Sequence, residues 1–357
     1  LTLKICVIGT LPPPVGGTSV SLKHLVSSLQ SRDDVRVRVI NTGGIRSTGF
    51  KAIRQFLRTV FEIFRCVRDV DVVTLHVGLG ALPLIGPFVY TACRWSKKPF
   101  LIRRFGGNDH RELKGLKGFV GEWVIRRANL YLVQTRVLQQ GAKDAGLERV
   151  EWFPTSRPLP GTFSDCSGGR AKCRRFVFLG HVRPTKGIPE LIAAAERFDD
   201  SVSVNVYGPF YDGLKEDVFN QCKRVSYCGV AEPDRVPEIL QNHDALILPT
   251  YYVGEGYPGV ILEAFNAGIP VITTIWKAIP EIVDETCGIL IPPQDADSLY
   301  NAMSDMVVDG AMYQTLCHGV QNRRALFDFE KWTDRFVSYC MHTNTSFRKS
   351  HKMPQER

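Results

Sequence analysis

Residues 4–9 read KICVIG, apolar at both alternating sets of positions after the lysine and closed by a glycine. A short run of this kind suits a strand of a parallel sheet, covered on both faces. Residues 11–17 form a turn rich in proline and glycine. From Thr18 to Leu29 the apolar positions fall at Val20, Leu22, Leu25, Val26 and Leu29, the three-and-four spacing of a helix. Strand-sized runs return at 35–40, 70–75, 100–104 and 130–133, with helix-sized stretches between several of them. That alternation predicts βαβ units and a parallel sheet. A second series occupies 176–180, 202–207, 225–227, 245–248, 271–273 and 288–291. The expectation is an α/β chain of two domains, 1–157 and 174–325, joined by a Pro/Gly/Ser-rich linker over 158–173. A helix over 326–342 is expected to pack back on the first domain, and the polar tail 343–357 to be disordered.

The stretch 254–270, GEGYPGVILEAFNAGIP, is the most informative for function. Gly256, Tyr257, Pro258 and Gly259 make a turn that opens a helix, with Pro258 or Gly259 suited to its first positions. Gly268 suits the left-handed stop, and Pro270 begins the next extended segment. The free N–H groups at such a helix start, including those around Tyr257–Val260, suit a phosphate or sugar oxygen. Glu255 lies at that mouth and Glu263 just over one turn inside. A second anion site is the loop FLGHVRPTKG at 178–187, where Arg183 and Lys186 can converge on a diphosphate. Gly16 and Gly17 follow the first strand and precede a helix, so they permit close backbone approach to a ligand. They do not form the GxGxxG fingerprint of a dinucleotide enzyme, which counts against an NAD oxidoreductase.

Composition changes the picture in three places. The 44% hydrophobic and 23% charged content is that of a globular protein, and the start shows no signal-peptide pattern. The ten cysteines contain no CxxC pair and read as buried free thiols in a reducing cytoplasm. The net charge of +9 is divided, at +17 over residues 1–175 and −8 over the remainder. Such a basic half points to a polyanionic partner. With no zinc-finger, RRM-like or helix-turn-helix pattern present, an anionic membrane is favoured and nucleic acid is not expected. On a helix over 46–68, Lys51, Arg54, Arg58, Arg65 and Arg68 fall in one arc. Ile53, Phe56, Val60, Ile63, Phe64 and Val67 fill a neighbouring one. Either this helix docks on lipid, or its apolar arc packs into the first domain and the basic arc is solvated. The uncharged run 77–93 is broken by Gly78, Gly80, Pro83, Gly86 and Pro87, and is not read as a membrane span.

The pattern E-x7-E inside EG-[FY]-x4-LEA-x3-G-x-PV resembles the donor-sugar motif of retaining glycosyltransferases of family 4. The resemblance covers about residues 3–342, dense in the second half and thin in the first. It implies the GT-B architecture, two Rossmann-like domains whose parallel sheets face each other across a cleft. It also implies retaining, hexosyl-type transfer from a nucleotide-diphosphate sugar to a glycan or lipid-linked acceptor, in cell-surface polysaccharide or glycolipid synthesis. Glu255, Lys186 and Arg183 would carry the chemistry. Glu263 would bind the ribose, and Gly16, Gly17, Gly256, Tyr257, Pro258, Gly259 and Val260 would line the donor. The nucleotide sugar is a co-substrate, with no cofactor or metal expected, and the location implied is cytoplasmic, peripheral on the inner face of the plasma membrane.

Three departures from the family pattern stand out. His181 holds the position of the usual diphosphate arginine, and Arg183 is its candidate replacement two positions along. Phe105 holds the position of a usual sugar-contacting histidine. Asn108, Asp109 and His110 beside it either contact sugar or acceptor or are ordinary loop residues. Phe153-Pro154-Thr155 replaces the usual Pro-Asn. These departures keep open a catalytically inactive nucleotide-sugar-binding protein as the alternative. The DxD patterns Asp69-Val70-Asp71 and Asp295-Ala296-Asp297 are read as structural.

Overall fold

The structure, a computed structural model, describes residues 2–13, 16–43, 50–159 and 172–351. The chain divides into two compact units, Leu1–Thr155 with Phe329–Arg357, and Ser156–Asp328. The first contains β1 (Leu3–Gly9), α1 (Gly17–Gln30), β2 (Val35–Asn41), α2 (Phe50–Cys66), β3 (Val72–Gly78), α3 (Leu82–Ser96), β4 (Phe100–Phe105), α4 (Gly115–Ile125), β5 (Leu130–Val133), α5 (Arg136–Asp144) and β6 (Val150–Trp152). Its sheet is wholly parallel, in the order β2-β1-β3-β4-β5-β6. Alternation along each strand feeds two cores. Ile5, Val7 and Leu101 pack with Leu22 and Leu25 of α1, while Cys6, Ile8 and Ile102 pack with Ile63, Val89 and Val124. That is why the strands read as unbroken apolar runs. The edge strand β6 has no counterpart in the sequence reading, because three residues with one buried side chain, Val150, carry no periodicity.

The second unit contains β7 (Arg175–Leu179), α6 (Ile188–Ala195), β8 (Ser203–Tyr207), β9 (Val225–Tyr227), α7 (Val236–Gln241), β10 (Ala245–Leu248), α8 (Gly259–Asn266), β11 (Val271–Thr274), β12 (Gly288–Ile291), α9 (Ala296–Val308) and α10 (Gly310–Arg324). Its parallel order is β12-β11-β10-β7-β8-β9. The order reverses between β7 and β10. Open parallel sheets bind ligands at the carboxyl ends of strands beside such a reversal. The loops that follow β7 and β10 therefore hold the positions where a ligand is expected.

The last helix, α11 (Phe329–Ser350), returns to the first unit. Phe336, Val337 and Cys340 pack with the core under α1, and Arg348 pairs with Asp71 at 3.0 Å. The expectation of a disordered tail over 343–357 is corrected for 343–350, which are helical; 352–357 lie outside the described residues. Thr343 is buried and Arg348 half-buried, so this polar stretch has a surface to hold it in register. Much of the linker, 160–171, also lies outside the described residues.

The helix expected over 46–68 is α2 with a short 3-10 turn, Val67–Asp69, behind it. The positions 46–49 and the side chain of Lys51 lie outside the described residues. Most of the predicted apolar arc turns inward: Ile63 and Val67 are fully buried, and Phe56 and Phe64 pack against the core. A different apolar stripe faces out, formed by Ile53, Leu57 and Phe61, which are 58%, 62% and 67% exposed. Arg54, Arg58 and Arg65 are exposed beside it. The uncharged run 77–93 is divided between the end of β3 and α3. Among the described residues, no helix is long and apolar enough to cross a membrane.

Candidate active site

Within the second unit, β7 runs out at Leu179, and a 3-10 turn (Pro184–Lys186) leads into α6. Gly187 joins the turn to the helix at φ +80°, and a β-carbon there would sit 2.2 Å from the Pro249 carbonyl oxygen. Only glycine meets both conditions, and the tight junction carries Lys186 to the end of β10. There the Lys186 ammonium pairs with the Glu255 carboxylate. Thr250, fully buried just past β10, donates to the same Oε2 at 2.8 Å. The motif's first glutamate and the loop lysine are thereby brought together over 69 residues of sequence. The pair is largely buried, with side-chain exposures of 14% and 9%. Charges so enclosed interact strongly with each other and with any charge brought beside them.

Arg183 lies over the Tyr252 ring at 4.5 Å and donates from Nε to Asp212 at 2.6 Å. Lys186 Nζ is 5.7 Å from the same ring. His181 packs on Tyr211 with ring centroids 4.3 Å apart. Its burial, then the charges of Lys186 and Arg183, lower its pKa, so it is a neutral imidazole at pH 7. The cationic charge of this loop thus resides on Arg183 and Lys186. Thr250, Tyr252 and Asp212 were not foreseen from sequence. Thr250 had one available signal, its position immediately beyond a buried strand.

The helix start matches the motif reading. Pro258 is the N-cap of α8, and its side chain makes no cap bond to the first turn. Gly268 ends the segment at φ +74°. Gly256, Tyr257 and Pro258 are buried, and Gly259 and Val260 half-buried. The Tyr257 side chain braces the loop from within, since its hydroxyl bonds Glu281 and its ring meets Phe327 edge-on. Glu263 Oε1 accepts from Arg157 Nε at 2.8 Å. Arg157 carries no local sequence signal, being 106 residues away.

In the first unit, Gly16 caps α1 in an extended conformation, with Ser19 Oγ accepting from its N–H at 3.1 Å. A β-carbon on Gly16 or Gly17 would meet nothing within 4 Å, so the space above both is open. Asn108, Asp109 and His110 follow β4. Asp109 caps a 3-10 turn (His110–Glu112) and accepts from Arg111 N at 2.8 Å and Nε at 3.0 Å. Burial works to raise its pKa, but the Arg111 bonds outweigh it and hold the carboxyl at about 2. His110 is buried 3.3 Å from Asp109, and burial lowers its pKa. Phe105 lies beneath the Arg103 guanidinium at 4.7 Å.

Both DxD patterns are engaged in structure. Asp69 pairs with Arg38 and Asp71 with Arg348. Asp295 caps α9 through Ser298 N at 2.8 Å, and Asp297 pairs with Arg197. Among the described residues, no three His, Cys, Asp or Glu side chains cluster as a metal site would need. All cysteines among the described residues are free, and burial pushes the Cys6 thiol up to about 12.

The second unit is thus a doubly wound sheet with a lysine–glutamate pair at its switch point, and its helix α8 starts without a cap from the N-cap side chain. Residues 173–309 match the family model described as Glycosyl transferases group 1. The chain is 26% identical over 150 residues to a D-inositol 3-phosphate glycosyltransferase of Mycobacteroides abscessus, covering 40% of this chain and 33% of that one. It is 25% identical over 132 residues to O-antigen chain mannosyltransferase B of Escherichia coli, covering 34% of each. The matches thus span about a third of the length of these curated relatives. The fold is shared with HepE of Anabaena, solved with UDP (TM-score 0.75, 16% identity, 95% of this chain and 100% of that one). It is shared equally with sucrose-phosphate synthase of Thermosynechococcus elongatus (TM-score 0.75, 16% identity, 96% and 100%). The chain therefore has the GT-B fold, and the family 4 resemblance is consistent with these matches.

Proposed function

We propose that the protein is a retaining, metal-independent glycosyltransferase of cell-surface polysaccharide or glycolipid synthesis. It moves a hexosyl-type sugar from a nucleotide diphosphate to a glycan or lipid-linked acceptor. The observation that carries this reading is the enclosed Lys186–Glu255 pair beside the uncapped start of α8, inside the matched segment. The UDP bound by HepE and the O-antigen and inositol-phosphate glycosyltransferases among the relatives support the donor and acceptor classes.

In this reaction the bond from the anomeric carbon to the diphosphate oxygen breaks, and a bond to the acceptor oxygen forms on the same face. The acceptor's proton passes to the departing diphosphate, so no protein nucleophile is needed. Lys186, with Arg183, meets the charge that grows on the leaving oxygens, an interaction stronger in the transition state than in the ground state. Glu255 releases Lys186 to the diphosphate and turns its carboxylate toward the anomeric centre, where positive charge develops. Glu263 accepts from the ribose, and the amides around Tyr257–Val260 hold sugar or phosphate oxygens. On the first unit, Gly16 and Gly17 admit the donor, and Asn108, Asp109 and His110 are the proposed acceptor-side contacts. The exposed face of α2, with Ile53, Leu57 and Phe61 beside Arg54, Arg58 and Arg65, supports docking of the first unit on an anionic membrane at the inner face of the plasma membrane.

The test is a panel of nucleotide sugars, read first by thermal stabilisation and then by transfer to candidate acceptors. Stabilisation by one donor followed by transfer with retained anomeric configuration is the expected result. Binding without transfer or donor hydrolysis would instead establish the inactive binding protein.

A further inference from the structure

Arg157 is one of the most enclosed charged side chains of the second unit, its side chain only 4% exposed. The structure accounts for its position atom by atom. Nε donates to Glu263 Oε1 at 2.8 Å and Nη1 to the Ser156 carbonyl at 3.2 Å. Its own carbonyl accepts from Asn266 Nδ2 at 3.2 Å, and its backbone bridges in parallel to Asp328. Gly259 and Glu263 are four residues apart on α8 and so share one face of the helix. The guanidinium lies along that face. A β-carbon at Gly259 would stand 2.1 Å from Nη2, so the glycine of the motif makes the room that the arginine fills.

Burying a guanidinium is costly unless it is paired and hydrogen-bonded, and Glu263 supplies the pair. The pairing occupies one carboxylate oxygen. The other, Oε2, has no hydrogen-bond partner among the described residues, and the glutamate side chain is 27% exposed. We propose that Arg157 is the positioning residue of the nucleotide site: it clamps Glu263 by Oε1 and presents Oε2 to the ribose hydroxyls. The proposal rests on the donor-site reading of Glu263. It adds that ribose recognition depends on a residue outside the motif, immediately after the junction at Thr155.

The experiment measures Kd for UDP, GDP and ADP and for their 2′,3′-dideoxy forms, using the full chain with Arg157, R157K or R157M. Wild type should prefer at least one ribonucleotide over its dideoxy form by about tenfold or more, the scale for hydrogen bonds to a charged group. R157M should bring that ratio close to one while dideoxy affinity stays within about threefold of wild type. R157K, which keeps the charge but loses the fork, should fall between. Donor KM should rise in R157M with kcat little changed, as expected when uniform binding is lost. An R157M ratio equal to wild type, with both forms weakened alike, would leave Arg157 a purely structural residue and overturn the proposal. Should R157M not fold, an undiminished ratio in R157K would do the same. No ribose preference in wild type would overturn the Glu263 assignment itself, a result distinct from failure of the clamp.

Discussion

At the residue scale the donor site makes sharp demands. In the proposed mechanism Lys186→Ala removes the cation that faces the leaving diphosphate, and it takes from the enclosed Glu255 its cationic partner. Transfer should fall by at least ~10²-fold, the scale for losing one transition-state charge partner. Glu255→Gln should mainly slow turnover and Glu263→Ala mainly weaken nucleotide binding. Steady-state kinetics on the three variants check this, and near-normal rates for Lys186→Ala would sink the assignment. His76 offers a prediction of another kind. Burial, then the charge of Arg103, push its pKa well below 6.5. As pH falls, the unfolded chain takes up the proton first. The stability His76 contributes is therefore complete above about pH 6.5 and lost progressively below it, at up to about 1.4 kcal/mol per pH unit. Urea unfolding at about pH 7.5 and about pH 5.5 should show a smaller drop for His76→Gln than for wild type. Much at this scale was legible in advance. Glu255, Glu263, Lys186 and Gly187 announce themselves through spacing, because a helix start and a tight glycine loop are local structures. Arg157 does not, since its partner lies 106 residues away, and Thr250, five residues before Glu255, belongs to no motif.

At the element scale, α2 was the least legible helix, for one reason. Periodicity tells that a helix has two faces but not which face meets the core. In α2, two apolar sets lie on the helix; Ile63 and Val67 are taken by the sheet, and Ile53, Leu57 and Phe61 remain outside with arginines beside them. This composition supports the proposed docking on lipid, where each basic residue near an anionic surface contributes about 1 kcal/mol. Wild type should therefore co-sediment with anionic vesicles at low salt and less at high salt. Changing Arg54, Arg58 and Arg65 to Glu should abolish binding, and changing Leu57 and Phe61 to Ser should weaken it at both salt levels. Equal binding by wild type and the triple variant would remove the membrane from the picture. For α11, Phe336 is fully buried against the first unit. Phe336→Ala should cost about 3–5 kcal/mol of that unit's stability, measured by denaturant unfolding.

For the whole molecule, the two units each have their own sheet and contain the strand-end loops that a ligand would meet. On the proposed reading, a nucleotide diphosphate is held by Lys186, Arg183 and α8 of the second unit. In calorimetry it should raise the transition of that unit, by an amount set by the logarithm of its concentration over Kd. Its effect should vanish in Lys186→Ala. In the proposed mechanism the leaving charge is met by side chains and helix amides, so transfer should survive EDTA. Loss on chelation with rescue by manganese would return attention to Asp69 and Asp71 or to Asp295 and Asp297.

What the sequence determined by itself was whatever depends on neighbours in the chain. Alternating and unbroken apolar runs set strands such as β5 and β10, and the spacing in Thr18 to Leu29 set α1. The turn before Gly259 and the glycine at 187 marked a helix start and a tight loop, the two local structures on which the donor site is proposed. What only the tertiary structure decided depends on groups far apart in the chain. The pairing of Lys186 with Glu255 and of Arg157 with Glu263 spans 69 and 106 residues. The choice of which stripe of α2 stays exposed, the ordering of 343–350 and the edge strand β6 belong with them. Each requires a surface supplied by another element, and no local pattern records what that surface will be.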